Sequence, residues 1–171
     1  MITSTSNQQM KNLSQLMKKA KARKEQGLFV VEGRKMFQEV PKAWLRQVYA
    51  SESFVQENES LLADCAYEMV SDSVFKVVSD TQTPQGILCL VEQPSYGLSD
   101  LLCGEKTHLL ILESIQDPGN LGTMLRTGEG AGITGVIMNR TTVDLFNPKT
   151  IRSTMGSIYR MPYVVTDDLT G

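Results

Sequence analysis

The stretch Asp117-Pro118-Gly119-Asn120-Leu121-Gly122-Thr123-Met124-Leu125-Arg126-Thr127-Gly128-Glu129-Gly130-Ala131-Gly132 decides how the chain is read. It follows a continuously apolar segment, His108–Ser114, which reads as a strand buried on both faces. A helix over about Leu121–Ala131 leads to a second strand at Gly135–Asn139. Asn147-Pro148 then opens a helix at Lys149–Met155, and Tyr163–Thr166 forms a third strand. Strand, helix, strand, helix, strand is the pattern of a parallel α/β sheet.

Open α/β sheets gather ligands outside the carboxyl ends of their strands. Asn120 and Gly122 fall there, at a helix start whose free N–H groups favour an anion such as phosphate. Arg126 stands out among Leu121, Met124 and Leu125. Lying six residues after Asn120, it is expected to share the side of the helix that faces the site. A guanidinium there can clamp a phosphate or stabilise developing charge; an ordinary surface ion pair is the alternative. The glycines Gly128, Gly130 and Gly132 imitate a dinucleotide fingerprint but fall at the end of a helix instead of between strand and helix. No P-loop pattern is present. A second cluster runs from Asn147-Pro148-Lys149-Thr150-Ile151-Arg152-Ser153 through Gly156 to Pro162, combining bases and hydroxyls before a strand. Taken alone it reads equally as a capped helix and its exit.

Upstream lies a separate domain. One amphipathic helix is expected over Gln9–Glu25, with Leu13, Leu16, Met17 and Ala20 on its apolar stripe and Gly27 ending it. Strands are expected at Leu28–Glu32, Leu45–Ala50, Tyr67–Val70 and Gly86–Glu92, with helices at Arg34–Val40, Gln56–Cys65 and Ser71–Ser79. Gln93-Pro94-Ser95-Tyr96-Gly97 reads as a linker, giving domains 1–95 and 96–171.

Across the 171 residues, 41% are hydrophobic and 21% charged, which excludes disordered and fibrous classes. No apolar run is long enough to span a membrane, and the polar N-terminus lacks a secretory h-region, so a cytoplasmic protein is expected. The three cysteines, Cys65, Cys89 and Cys103, are too widely spaced for a zinc site or a disulfide framework, and a lone His108 makes no metal cluster. The net charge of −2 conceals an asymmetry. From Gln8 to Lys35 there are eight bases against two acids; from Ala50 to Asp117, two bases against twelve acids. The basic segment is read either as a phosphate-contacting face or as a solvated helix surface.

Two motifs together, Asp-Pro-x-Asn-x-Gly-x-x-x-Arg at 117–126 and Asn-Pro-x-x-x-Arg-Ser-x-x-Gly-x-x-x-x-x-Pro at 147–162, resemble the SpoU/TrmH family (SPOUT superfamily) of RNA 2′-O-ribose methyltransferases. Thr3–Asn7, the basic helix and Gly27-Leu28-Phe29-Val30-Val31-Glu32-Gly33 resemble that family's L30e/L7Ae-like substrate-binding domain. The resemblance implies an α/β fold: an L30e-like α/β/α domain, then the first half of a SPOUT trefoil-knot domain with a parallel sheet. It implies methyl transfer from S-adenosylmethionine to a ribose 2′-hydroxyl, in ribosomal RNA. Arg126 and Asn120 would be catalytic, and Asn147, Arg152 and Ser153 would contact substrate. Lys11, Lys18, Lys21, Arg23, Arg34 and Lys35 would supply RNA affinity. Family members dimerise through the knot, so a homodimer is implied for the full-length protein. Nine residues follow Pro162, where the family continues through its remaining motifs. The chain is therefore expected to be part of a longer enzyme, lacking most of the S-adenosylmethionine pocket and inactive alone. A non-catalytic RNA-binding module is the alternative function.

Overall fold

The computed structural model describes residues 1–170, which divide into two compact units, Met1–Gln93 and the described residues from Pro94 onward. The first unit opens with α1 (Gln8–Lys18), capped by Asn7, whose Oδ1 accepts from Gln9 N at 2.8 Å. Leu13, Leu16 and Met17 of the expected stripe are buried, joined by Met10. The single helix expected over Gln9–Glu25 is instead two. Lys19 is extended (φ −122°, ψ 113°), α2 spans Ala20–Gln26, and Ala20 is exposed. Arg23 explains the break. Its side chain is 3% exposed, and Nη1 donates to the carbonyls of Leu16 (2.8 Å) and Met17 (3.3 Å), acceptors at the end of α1. Gly27, in the left-handed region at φ 63°, ends α2.

There follow β1 (Leu28–Glu32), α3 (Arg34–Glu39), β2 (Leu45–Ser51), α4 (Glu52–Glu57), α5 (Glu59–Leu62), β3 (Glu68–Val70), α6 (Asp72–Val78) and β4 (Ile87–Glu92). The helix expected over Gln56–Cys65 is a second correction. Ser51 Oγ accepts from Phe54 N and starts a helix early, while Asn58 Nδ2 donates to Phe54 O at 3.0 Å and ends it. Asn side chains compete for backbone partners in this way. The sheet order is β1-β4-β2-β3, with β4 antiparallel to both neighbours and β2 parallel to β3. Ile87–Val91 is buried throughout, as a central strand requires. On one face Val30, Tyr49, Leu88 and Leu90 meet α1, α2 and α6 through Leu13, Leu16, Ala22, Val74 and Phe75.

In the second unit, α7 (Leu98–Leu101) precedes β5 (Leu109–Leu112), α8 (Pro118–Gly130), β6 (Gly135–Asn139), α9 (Pro148–Thr154), a 3₁₀ turn (Ser157–Tyr159) and β7 (Tyr163–Thr166). The strands are parallel in the order β5-β6-β7. Two successive parallel crossovers in one direction, expected to share one hand, place α8 and α9 on the same face, where they pack against each other. That arrangement corrects the expectation that the first strand is buried on both sides: Ile111 is 59% exposed. Leu110 lies under α8 at Gly128, and Leu101 of α7 abuts Gly135. Burial pushes the Tyr163 hydroxyl well above its usual range, and it donates to Pro94 O at 3.0 Å.

Removing the Arg23 guanidinium orphans buried carbonyls. Arg23→Ala is expected to lower stability by about 1–3 kcal/mol in urea denaturation, whereas Lys18→Ala, an exposed position, leaves it nearly unchanged. Equal midpoints for the two variants would remove Arg23 from the fold.

Candidate active site

The site is built on the contact between α8 and α9. Asp117 caps α8: its Oδ1 accepts from Asn120 N at 2.7 Å, and Pro118 occupies the first turn. Gly119, Gly122 and Arg126 stand at i, i+3 and i+7, one stripe of the helix. All three face α9. A Cβ on Gly122 would lie 2.4 Å from Thr150 O and 2.5 Å from Ser153 Cβ, and one on Gly119 would lie 3.7 Å from Ser153 Oγ. At the end of the stripe Arg126 Nη1 donates to Met155 Sδ at 2.9 Å. Only glycine permits this approach, so Gly122 determines how close α9 can come.

On α9, Asn147 Oδ1 accepts from Lys149 N at 2.9 Å, followed by Pro148. Asn147 is therefore the helix cap, its amide oxygen already engaged. Ser153, half-buried, donates through Oγ to Lys149 O at 2.9 Å, and Arg152 is exposed. The helix stops at Met155, which adopts φ 47° and ψ 38°, followed by Gly156 at φ 98°.

One expectation fails on geometry. Six residues of regular helix turn through about 240° beyond one full turn, so Asn120 and Arg126 project from different sides of α8. Both are exposed, but Arg126 reaches Met155 along the Gly119/Gly122 stripe, whereas Asn120 stays at the helix start. Arg126 is also no surface ion-pair residue: among the described residues no carboxylate pairs with it. The neighbouring Arg160 is instead bidentate to Glu129, and Arg140 pairs with Asp167.

In the first unit, Lys11, Lys18, Lys21, Arg34 and Lys35 are exposed and Arg23 is buried. Lys21 lies 3.7 Å from Glu25 and Lys35 3.9 Å from Glu39, helix-surface pairs of small energetic weight. Arg34 and Lys35 begin α3 beside the segment 79–86, which is tied down at both ends. Glu32 Oε1 accepts from Ser79 Oγ (2.7 Å) and Thr81 Oγ1 (2.9 Å), and Gln85 Oε1 accepts from Arg34 N (3.0 Å). Gly33, at φ 106°, admits that glutamine, which would lie 2.8 Å from a Cβ. The basic residues at α3 and the polar segment thus form one surface.

Sequence reading alone does not single out Met155, the structural use of Gly122, or the Glu32 and Gln85 ties. The Gly119/Gly122/Arg126 stripe is a usable signal for the helix contact. Nothing local marks a methionine for a left-handed backbone.

Comparison with known proteins places this geometry. Residues 7–89 match a model described as "MRM3-like substrate binding domain", and residues 107–171 match "SpoU rRNA Methylase family". The chain is 33% identical over 167 residues to the 23S rRNA (guanosine(2553)-2'-O)-methyltransferase RlmP of Bacillus subtilis, covering 95% of this chain and 64% of that protein. It is 32% identical over 162 residues to human mitochondrial rRNA methyltransferase 3, covering 87% and 37%. The crystal structure of an AdoMet-bound rRNA methyltransferase from Sinorhizobium meliloti superposes with a TM-score of 0.80 at 28% identity, covering 96% of this chain and 63% of that one. The chain thus spans less than two thirds of the length of each of these relatives. The mixed α/β fold with its parallel C-terminal sheet is that of SPOUT methyltransferases.

Gly122→Ala is expected to force the two helices apart and cost about 1–3 kcal/mol of stability. Gly130→Ala, where nothing lies within 4 Å of the added methyl, should leave stability unchanged or raise it by up to about 1 kcal/mol. Thermal unfolding of the two variants side by side checks this; comparable Tm values would mean that α8 and α9 are not in this contact.

Proposed function

Because this chain belongs to the SpoU rRNA methylase family, joined to an MRM3-like substrate-binding domain, we propose that the protein methylates a ribose 2′-hydroxyl of ribosomal RNA. The observation that carries the reading is Arg126. It is exposed, paired with no carboxylate among the described residues, and held against Met155 at the end of the α8–α9 contact.

A ribose hydroxyl is a weak nucleophile and must lose its proton as it attacks. A guanidinium stays protonated at any relevant pH, so Arg126 does not take that proton. Its task is electrostatic: to hold a substrate phosphate and stabilise the charge growing on the 2′-oxygen. The released proton passes to solvent. Asn120, at the helix start, and Arg152 would orient the backbone of the same nucleotide.

S-adenosylmethionine supplies the methyl group in this reading. The polar groups at the carboxyl ends of β5 and β6 are joined by hydrogen bonds. Ser114 N donates to Asn139 Oδ1 at 2.8 Å, Ser114 Oγ and Thr141 Oγ1 are 2.7 Å apart, and Gln116 Nε2 donates to Thr141 O at 2.7 Å. The residues of the α8–α9 face act on the acceptor RNA.

RNA affinity is assigned to the first unit: Lys11, Lys18 and Lys21 along α1 and α2, and Arg34 and Lys35 at the start of α3. Arg23 is left out of that set, since its guanidinium serves the fold. A cytoplasmic homodimer completes the proposal. Among the described residues no helix is long and apolar enough to cross a membrane.

Two measurements on the full-length protein test the reading. Arg126→Ala should abolish transfer of labelled methyl groups to ribosomal RNA while changing RNA affinity by less than about threefold; wild-type turnover would take Arg126 out of the chemistry. Replacing Lys11, Lys18 and Lys21 with Gln should weaken RNA binding and reduce the slope of log K against log salt by about 2–3. An unaltered slope would make that face merely solvated.

A further inference from the structure

Arg126 has an unusual companion. Its Nη1 donates to the thioether of Met155 at 2.9 Å. The contrast lies one turn further along the same helix, where Glu129 holds Arg160 through two hydrogen bonds. A carboxylate fixes a guanidinium and cancels its charge. A thioether is a weak, neutral acceptor: it can orient the guanidinium and leave the charge intact.

The backbone at Met155 suggests that this side chain is held there for a purpose. At φ 47° and ψ 38° it adopts the left-handed conformation that side chains other than glycine and asparagine rarely take. Ser114 is the other described non-glycine residue with positive φ. Burial does not account for Met155, which is 45% exposed. A helix end of this shape is best served by glycine, and glycine already stands at the next position, Gly156. A strained, half-exposed methionine whose sulfur meets an arginine without a carboxylate partner fits a functional constraint better than a packing one.

We propose that Met155 is the positioning residue for Arg126. Its thioether, presented by the left-handed turn after α9, aims the guanidinium while leaving its full charge for the substrate phosphate and the developing 2′-oxyanion. The inference rests on the reading of this face as the methyl-acceptor site. It adds that the neutrality of the partner is what matters.

The test uses the full-length protein with methyl transfer to ribosomal RNA, the KM for RNA and the Tm measured for each variant. Met155→Gln and Met155→Glu have nearly the same shape and differ in charge. The Met155→Glu variant should have a kcat at least about tenfold below that of Met155→Gln, with Tm values alike. Equal kcat in the two overturns the proposal. Met155→Gly should raise the Tm by about 2–4 °C by relieving the turn, and lower kcat by about tenfold or more through loss of the acceptor. Wild-type kcat in that variant, or a fall in Tm and kcat together, overturns it as well, the latter indicating a structural role only. Arg126→Ala run in parallel separates the two levels. If it turns over normally, the reading of the site has failed. If it is inactive while Met155→Gln and Met155→Glu turn over alike, only the role of Met155 has failed.

Discussion

The approach of α9 to α8 at Gly122 is the constraint on which the second unit depends. Thr150 O and Ser153 Cβ occupy the space that any side chain on Gly122 would need. Because the helices meet there, Ser153 lies against the first turn of α8 and Met155 reaches Arg126 one turn beyond Gly122. Glycine in a helix interior carries a cost of about 1 kcal/mol relative to alanine. Caps at the start of both helices offset it: Asp117 on α8 and Asn147 on α9, each followed by proline in the first turn. These residues belong to the motifs that the sequence displays most plainly. Their role is to fix two helices at a distance, and the chemistry is left to fewer groups.

That division explains what is legible in advance. Strands Leu28–Glu32, Ile87–Glu92 and Gly135–Asn139 follow from apolar runs bounded by glycine, and the helix after β6 from its Asn-Pro start, whereas α8 begins three residues before the expected Leu121, at Pro118 behind its Asp117 cap. These are local signals. The failures are tertiary in origin. The basic helix breaks at Lys19 because Arg23 folds back onto the carbonyls of Leu16 and Met17, a contact that no periodicity encodes. Ile111 is exposed because both crossovers fall on one side of the sheet, a property of strand order. Distance in sequence groups Asn120 with Arg126, whereas helical rotation separates them and groups Arg126 with Gly119 and Gly122 instead.

The basic N-terminal segment shows the same limit for charge. Eight bases against two acids invite a single electrostatic reading. In the folded unit those bases divide into distinct tasks. Arg23 is a buried structural donor; Lys21 and Lys35 each face a glutamate one turn away; Lys11, Lys18 and Arg34 lie exposed on the surface of their helices. The surface at α3 gains definition from the acid in the segment itself. Glu32 turns away from solvent to gather Ser79 and Thr81, so the loop that borders Arg34 is ordered by a carboxylate that does not compete with RNA for the arginine.

The same logic governs the arginines of the second unit. Arg140 and Arg160 are held by Asp167 and Glu129, and an arginine so paired presents little net charge to a polyanion. Arg126 is restrained without being neutralised. For a reaction whose difficulty is the appearance of negative charge on a ribose oxygen, orientation and residual charge are both needed, and a carboxylate partner supplies the first at the expense of the second. A neutral acceptor resolves that conflict. The left-handed backbone at Met155 is the structural cost, and the glycine contact at Gly122 is what brings the acceptor within reach.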